Sequence, residues 1–490
     1  MTRLLCSSLL AAIVLAAAPV SAQPASRPPA KAAPAPTAPA AAPTPVPDDM
    51  ANFDKDLDAL FGTSGLTADQ AAGRAAAASP DVRRKVAELG VAIVAREQAS
   101  LARVPYVQGK ASYTRLSFVA PIVFPLGTQS FSITSLQNSY DLVATATIPL
   151  SDYLFRFPRL LATANRNIEG ARASQLSSAV NAGEDARLAF YEWVRARLQV
   201  MVAKRQLANV QATYKQAQAL ADAQRLSKAD LLRIESQEAE AEQTIDQLAN
   251  LESLREEQLR LLIGATDSEP LAIAEDIRAD IGAPGSVALD ELVKHASDRR
   301  LDLKAIDIGL TAKQAQYDAS EADLYPKLSA FGTVEDARPN QRVFPQVDEF
   351  RLTWLVGVQA TWTLGDAINA KVTRARVRAE TAELRADREN VVRGQRIEIL
   401  AAQQAVSLAV HALGTSQKGL NAAEESYRVR RELLAADRAT AVELVDSQTD
   451  LTRARITALN ARVDLRVALA QLAHALGDDA VAALRAPATR

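Results

Sequence analysis

Two stretches of the chain, residues 159–269 and 346–486, contain no proline, although the sequence has 22 of them. A proline inside a helix costs about 3 kcal/mol, so such gaps are where very long helices can form. Both gaps carry apolar residues at three- and four-residue spacing. In the second, Leu444, Val445, Leu451, Ile456, Leu459, Val463, Leu465, Leu469, Leu472 and Leu476 mark an apolar stripe. Arg453, Arg455, Arg462 and Arg466 mark the opposite face. Unbroken patterns of this length imply coiled-coil-like packing rather than a compact bundle. The composition agrees: aromatic residues are only 5%, and Ala, Leu, Arg, Glu and Gln dominate, which favours helix. A net charge of −2 provides no basic field for nucleic acid. Three scattered histidines and one cysteine offer no His/Cys metal set, and no cofactor is expected.

The first residues read as an address rather than structure. Arg3, the apolar run Leu4 to Ala18 and the small residues Val20-Ser21-Ala22 have the pattern of a signal peptide (1–22) cut before Gln23. Cys6 lies inside it, so the exported chain is expected to have no thiol. Residues 23–47 are a Pro/Ala tract, which reads as a semi-rigid disordered linker. Beyond residue 22 no run of about 18 apolar residues is evident, so no transmembrane helix is expected.

The remainder repeats itself. Asp81 and Pro105 recur as Asp302 and Pro326, Asp152 as Asp366, Tyr214 as Tyr427, Leu231 as Leu444, and Gly264 as Gly477. The offset changes only where loops are expected, and insertions are cheap there. The expected organisation is a short N-terminal segment (48–65), a first repeat (66–264), a connection (265–286), a second repeat (287–477) and a C-terminal tail (478–490). Each repeat reads as helix, strand, loop, strand, very long helix, turn, helix. The long helices are expected over 159–221 and 366–434, or roughly 95 and 100 Å at 1.5 Å per residue.

Four segments, 108–118, 139–150, 327–336 and 352–364, read as strands. In the last, Leu352, Trp354, Val356, Val358, Ala360, Trp362 and Leu364 alternate with a more polar set. In the second, Tyr140, Leu142, Ala144, Ala146, Ile148 and Leu150 do the same. Each segment has the length of a tilted membrane strand. Trp354 and Trp362, eight residues apart on one face, are candidates for the two aromatic girdles, with Tyr140 a further candidate. A soluble sheet with one buried face would alternate equally well. In lipid, however, a sheet must close to satisfy its backbone, and four strands cannot close a barrel. Membrane strands would therefore require two or three chains to share one.

The duplicated unit, the opening "GLTADQAAGRAAAASPDV", the hairpin entry "VGVQATWTLGD" and the closing block from Glu425 to Gly477 carry a resemblance. Over essentially the whole chain after the linker, the sequence resembles the TolC-like outer-membrane efflux proteins. That resemblance implies a mainly α chain with a β-barrel part: long antiparallel helical hairpins forming a trimeric periplasmic α-barrel, plus a 12-stranded membrane β-barrel with four strands per chain. It further implies a location in the outer membrane of a Gram-negative bacterium. Partners would be two further copies, outer-membrane lipid, a periplasmic adaptor and an inner-membrane pump, with no nucleic acid.

The two helical turns, 222–232 and 435–445, are the expected periplasmic tips. Ser227 and Thr440 suit N-caps, with Asp230 and Glu443 three residues on, as a capping box requires. The resemblance also implies a narrowed entrance there. Asp230, Glu443 and Asp446 are the candidate lumen acids, so that three copies of Glu443 and Asp446 would favour cations. Arg225, Leu226, Ser227, Arg438, Ala439 and Thr440 are the candidate adaptor contacts. Leu434 stands where the family carries a tyrosine, and Arg438 is one position from the family's basic gate residue. No nucleotide loop, dinucleotide fingerprint or H-E-x-x-H motif is present, and His295, His411 and His474 stand apart. The reading is therefore a passive export channel, not an enzyme. A soluble periplasmic coiled-coil scaffold is the alternative, but it leaves the alternating strands unexplained.

Overall fold

The computed structural model describes residues 49–479, apart from 127–128, 134–135, 280, 283–284, 286 and 437. The expected signal peptide, nearly all of the Pro/Ala linker and most of the C-terminal tail lie outside the described residues.

Helix α1 (Asp49–Leu60) leads into strand β1 (Phe61–Leu66) and helices α2 (Ala68–Ala78) and α3 (Pro80–Leu101). Strands β2 (Tyr106–Arg115), β3 (Ile122–Leu126), β4 (Gln129–Ile133) and β5 (Asn138–Ile148) follow. Next come α4 (Leu150–Phe155), α5 (Phe157–Asp222) and α6 (Lys228–Ile263). The second half holds α7 (Leu289–Arg299), α8 (Leu301–Ala319), β6 (Lys327–Arg338), β7 (Arg351–Thr361), α9 (Leu364–Ala435) and α10 (Ala441–Leu476).

The long helices sit where proline is missing. α5 has 66 residues, with Pro158 in its first turn, and α9 has 72. At 1.5 Å per residue they span about 100 and 110 Å. Helices α6 and α10 have 36 residues each and end on Gly264 and Gly477, which adopt φ +65° and +73°. Only glycine adopts that left-handed cap without strain. A Cβ on Gly264 would also come within 2.7 Å of the Ala78 Cβ.

The structure differs from the sequence reading at several places. The first strand runs two to three residues earlier than expected. The connection between β2 and β5 carries an unforeseen antiparallel hairpin, β3–β4. In the first repeat Pro149 and Pro158 break the entry into the long helix, so α4 forms separately. β7, by contrast, passes through Thr363 directly into α9. Finally, Arg455 and Arg466, expected on a solvated face, are buried. α10 packs against both α9 and α5 and has no wide free face. Arg455 lies 4.2 Å over the Phe53 ring, and Arg466 pairs with Glu275 at 2.9 Å.

The main core lies at mid-height on α5. Phe190, Tyr191, Trp193, Val194, Leu198 and Val202 pack with Leu259 and Ile263 of α6 and Leu459 and Val463 of α10. Phe53 and Leu57 of α1 and Leu271, Ile273 and Ile277 of the inter-repeat connection complete it. Both segments are thus structural. Leu66 donates its N–H to the Ala272 carbonyl and accepts from Ala274.

From the edge of that core toward the tips, α5 and α10 also meet through polar pairs. Gln199 donates to Asn460 at 3.3 Å, Gln206 accepts from Thr452, and Gln448 donates to Thr213 at 3.2 Å. Gln199, Gln206 and Thr213 are one heptad apart, and polar pairs at core positions fix the register of two helices.

One described helix, α9, contains a stretch long and apolar enough to cross a membrane, which the sequence reading did not foresee. The helix is more than three times longer than the roughly 30 Å hydrocarbon core, and it packs along α8 and α10.

Candidate channel wall and entrance

The four long strands form one antiparallel sheet in the order β2–β5–β6–β7. Its register sorts the side chains into two faces. Cross-strand rows Gly109–Ala144–Val334–Trp354 and Val107–Ala146–Gly332–Val356 lie on one face. The row Ile148–Ala330–Val358 and the pair Leu328–Ala360 continue it toward the helices. That face is apolar and open, with Trp354 70%, Val356 74% and Val358 64% exposed. The opposite face carries Gln108–Thr145–Thr333, Lys110–Val143–Glu335–Thr353 and Ser112–Asp141–Ala337. Thr145 and Thr333 share a hydrogen bond of 3.2 Å. An apolar band on one face and a polar surface on the other is the pattern of a strand between lipid and water.

The aromatic candidates separate along the strands. Tyr140 lies at the loop end, its ring 5.0 Å from that of Tyr113. Trp354 lies on the same face two pleat rows nearer the band, and pairs with Val334. Trp362 lies just past β7 at the helix end, where its indole N–H donates to the Leu324 carbonyl at 3.3 Å. The strands β2 and β7 end the sheet, and among the described residues neither has a partner on its outer side.

The two tips are built by local capping. At the first, Ser227 Oγ accepts from the Asp230 N–H at 3.1 Å and donates to the Asp230 carboxylate at 2.6 Å. At the second, Thr440 Oγ1 accepts from the Glu443 N–H at 3.2 Å, and Glu443 Oε2 accepts from the Thr440 N–H at 3.0 Å, a complete capping box. The chain leaves α5 and α9 alike: Arg225 N–H reaches the Leu220 carbonyl, and Arg438 N–H reaches the Leu433 carbonyl, both at 2.8 Å. The first turn needs Gln224 at φ +59°, a left-handed position. Leu226 packs with Val210, Ile234 and Val445 where the hairpins meet. Leu434 packs beside Tyr427 and Leu444.

Arg233 and Asp446 form an ion pair at 3.3 Å that joins the two tips. Glu443 also lies 3.7 Å from Arg430. Arg438 and Thr440 are exposed and Ala439 is half-buried at the turn. Sequence reasoning missed Arg233 and Arg430 because each lies on the helix neighbouring its acid. Their spacing from Asp446 and Glu443 along the chain carries no signal.

A buried charged cluster near the far end of α10 was also missed. His474 contacts Glu184 at 2.9 Å and Asp479 at 2.7 Å. Burial alone would lower its pKa, but the two carboxylates outweigh burial and raise it to about 9. Tyr191 donates to Glu275 at 3.0 Å, and burial with that carboxylate pushes its phenol well above the usual range. Among the described residues, no group of three or more His, Cys, Asp or Glu is placed to hold a metal ion.

This architecture has known counterparts. Residues 292–478, the second repeat, match the family described as outer membrane efflux protein. No curated protein sequence matches the chain. The fold is that of solved outer-membrane channels. The channel OprN is 19% identical, with 91% of this chain and 98% of that one covered and a TM-score of 0.67. VceC from Vibrio cholerae is 15% identical, covering 87% and 96%, with a TM-score of 0.65. The open-state MtrE channel of Neisseria gonorrhoeae is 17% identical, covering 84% and 88%, with a TM-score of 0.67. By sequence over its second repeat and by fold over its described length, the chain has the build of the TolC-like outer-membrane efflux proteins. The resemblance read from the sequence is borne out. The solved channels that share this build are outer-membrane proteins. The proteins it resembles are channels rather than enzymes.

Proposed function

We propose that three copies of this chain close their sheets into one 12-stranded barrel and form a passive exit duct. The duct would serve a tripartite efflux pump or a type I secretion system, without catalysis of its own. The observation that carries this reading is the sheet: four strands of membrane length, apolar on one face, with β2 and β7 unpaired at its edges. An open edge cannot persist in lipid, because each unsatisfied backbone group costs several kcal/mol. Pairing β7 of one copy with β2 of the next removes every edge. The helical hairpins then form the periplasmic tunnel. Their tips, with Arg225, Leu226, Ser227, Arg438, Ala439 and Thr440, receive an adaptor that links the duct to an inner-membrane pump, which supplies the energy. Tyr140 and Trp354 serve the outer girdle and Trp362 the inner one.

In this reading Asp230, Glu443 and Asp446 surround the entrance. Removing acids from a constriction lowers its preference for cations. The variant Glu443→Ala with Asp446→Ala is expected to remain trimeric and to lose cation selectivity in planar bilayers, measured as a reversal potential moved toward zero. An unchanged reversal potential would take both acids out of the lumen. A protein that leaves the membrane fraction with a carbonate wash, without detergent, would instead favour a periplasmic scaffold.

A further inference from the structure

The connection between β2 and β5 differs in chemistry from the rest of the molecule. Residues 116–140 are 25 consecutive positions without Asp, Glu, Lys or Arg. Within them the hairpin pairs Ile122 with Ile133, and Phe124 with Phe131. Phe118, Val119, Ile122 and Val123 are each more than half exposed, and Phe124 nearly so. A surface hairpin needs no such apolar surface, and a contiguous apolar patch marks an interaction site. The other loop at the same end, between β6 and β7, is conventional. It carries Arg342, Asp348 and Glu349, and Arg338 pairs with Asp348 at 2.9 Å.

Lipid is a poor occupant for the hairpin. A polar collar separates it from the apolar band of the sheet: Arg115 donates to Asn138 at 3.2 Å, and Arg338–Asp348 lies at the same end. The better occupant is another copy of the chain. A strand spacing of about 4.8 Å and a tilt of about 40° give a 12-stranded barrel a circumference of about 75 Å and a radius of about 12 Å. A hairpin of five-residue strands reaches about 17 Å. Three hairpins rising from the rim can therefore meet on the axis. Identical segments meeting on a threefold axis repel if charged, and these carry no charge.

We propose that the β3–β4 hairpins of three copies pack against one another over the outer mouth of the barrel and form an apolar cap on the duct. This rests on the trimeric reading above. The cap buries Phe118, Ile122, Val123 and Phe124, and it must part for cargo to leave.

The chain's single cysteine, Cys6, lies in the expected signal peptide, so an introduced cysteine can be cross-linked without interference. In the detergent-extracted particle, Val123→Cys is expected to form covalent dimers under mild oxidation, whereas Ala111→Cys on the outer face of β2 is not. Replacing Phe118, Val123 and Phe124 together by Ser is expected to raise single-channel conductance about twofold or more, because a hydrophobic constriction gates by dewetting. A three-chain particle with no Val123→Cys dimer and unchanged conductance overturns the cap and leaves the duct standing. Quenching of a fluorophore on Val123→Cys by brominated lipid, or its cross-linking to a different protein, also overturns it. A particle of one chain overturns the duct and the cap together.

Discussion

The two repeats share a backbone plan but not a core. Shifted by 213 residues, α6 becomes α10 end for end, β5 becomes β7, and Gly264 becomes Gly477. The side chains do not follow. Phe190, Tyr191 and Trp193 of α5 correspond to Gln403, Gln404 and Val406 of α9. Trp193 is fully buried, while Gln403 reaches out to the Val287 carbonyl at 2.8 Å. α5 is covered by α2, α3, α6, α8 and α10, whereas α9 lies mainly on α8 and α10. α9 leaves Ile368, Val372, Ile397 and Leu408 exposed. Duplication therefore preserved what local chemistry dictates, namely the length of the returning helices α6 and α10 and the caps at their ends. Packing diverged with each repeat's neighbours: α5 closes the core of its own chain, and α9 presents apolar surface of the kind a second copy would cover in the proposed trimer.

The largest expected break in this comparison is at the paired core positions. Trp193→Ala should cost about 3–5 kcal/mol, as truncation of a buried aromatic does. Val406→Ala, its counterpart, should cost about 1–2 kcal/mol, since it loses only two methyl groups. Chaotrope midpoints of the two variants measure the difference. Equal losses would mean that both repeats share one core.

A second test uses the charged end of α10, where His474 has Leu261 as its counterpart. The folded pKa of His474, about 9, lies above its ordinary value near 6.5. The stabilisation is therefore fully present below about pH 6.5 and is lost as pH rises through 9. It amounts to no more than about 3 kcal/mol. His474→Gln should flatten the fall in stability between pH 6.5 and 9. A fall that persists in the variant would place its source elsewhere.

The smallest effects concern the tips. Thr440→Ala removes one arm of a complete capping box and should cost about 1 kcal/mol. Ser227→Ala, whose acid bonds the hydroxyl rather than the cap N–H, should cost about 0.5–1 kcal/mol. Hydrogen exchange in the first turns of α10 and α6 is the measurement. A larger effect at Ser227 would reverse the ranking.

The same division explains what the sequence disclosed. The long helices were legible to within two residues at each end, because proline is absent inside them and Pro158 opens α5. The tips were legible because Ser227, Asp230, Thr440 and Glu443 interact within one turn. The strands were legible from alternation, and their faces from Trp354, Val356 and Val358. The hairpin β3–β4 was not legible, because Pro121, Pro125 and a run of small residues read as loop, and its pairing depends on the rim that holds it. Nor were Glu275 beside Arg466, Glu184 beside His474 and Arg233 beside Asp446, which come from segments about 190 to 290 residues away. Only the three-dimensional register of α5, α6, α10 and the inter-repeat connection brings them together.

The central claim is that unpaired β2 and β7 are completed by other copies of the same chain. Its most direct test is the mass of the protein part of the particle extracted by detergent from outer membranes, measured by light scattering with the detergent contribution subtracted. The account predicts three chains per particle. A monomer, or any particle released without detergent, would contradict it and leave the long helices as a periplasmic scaffold.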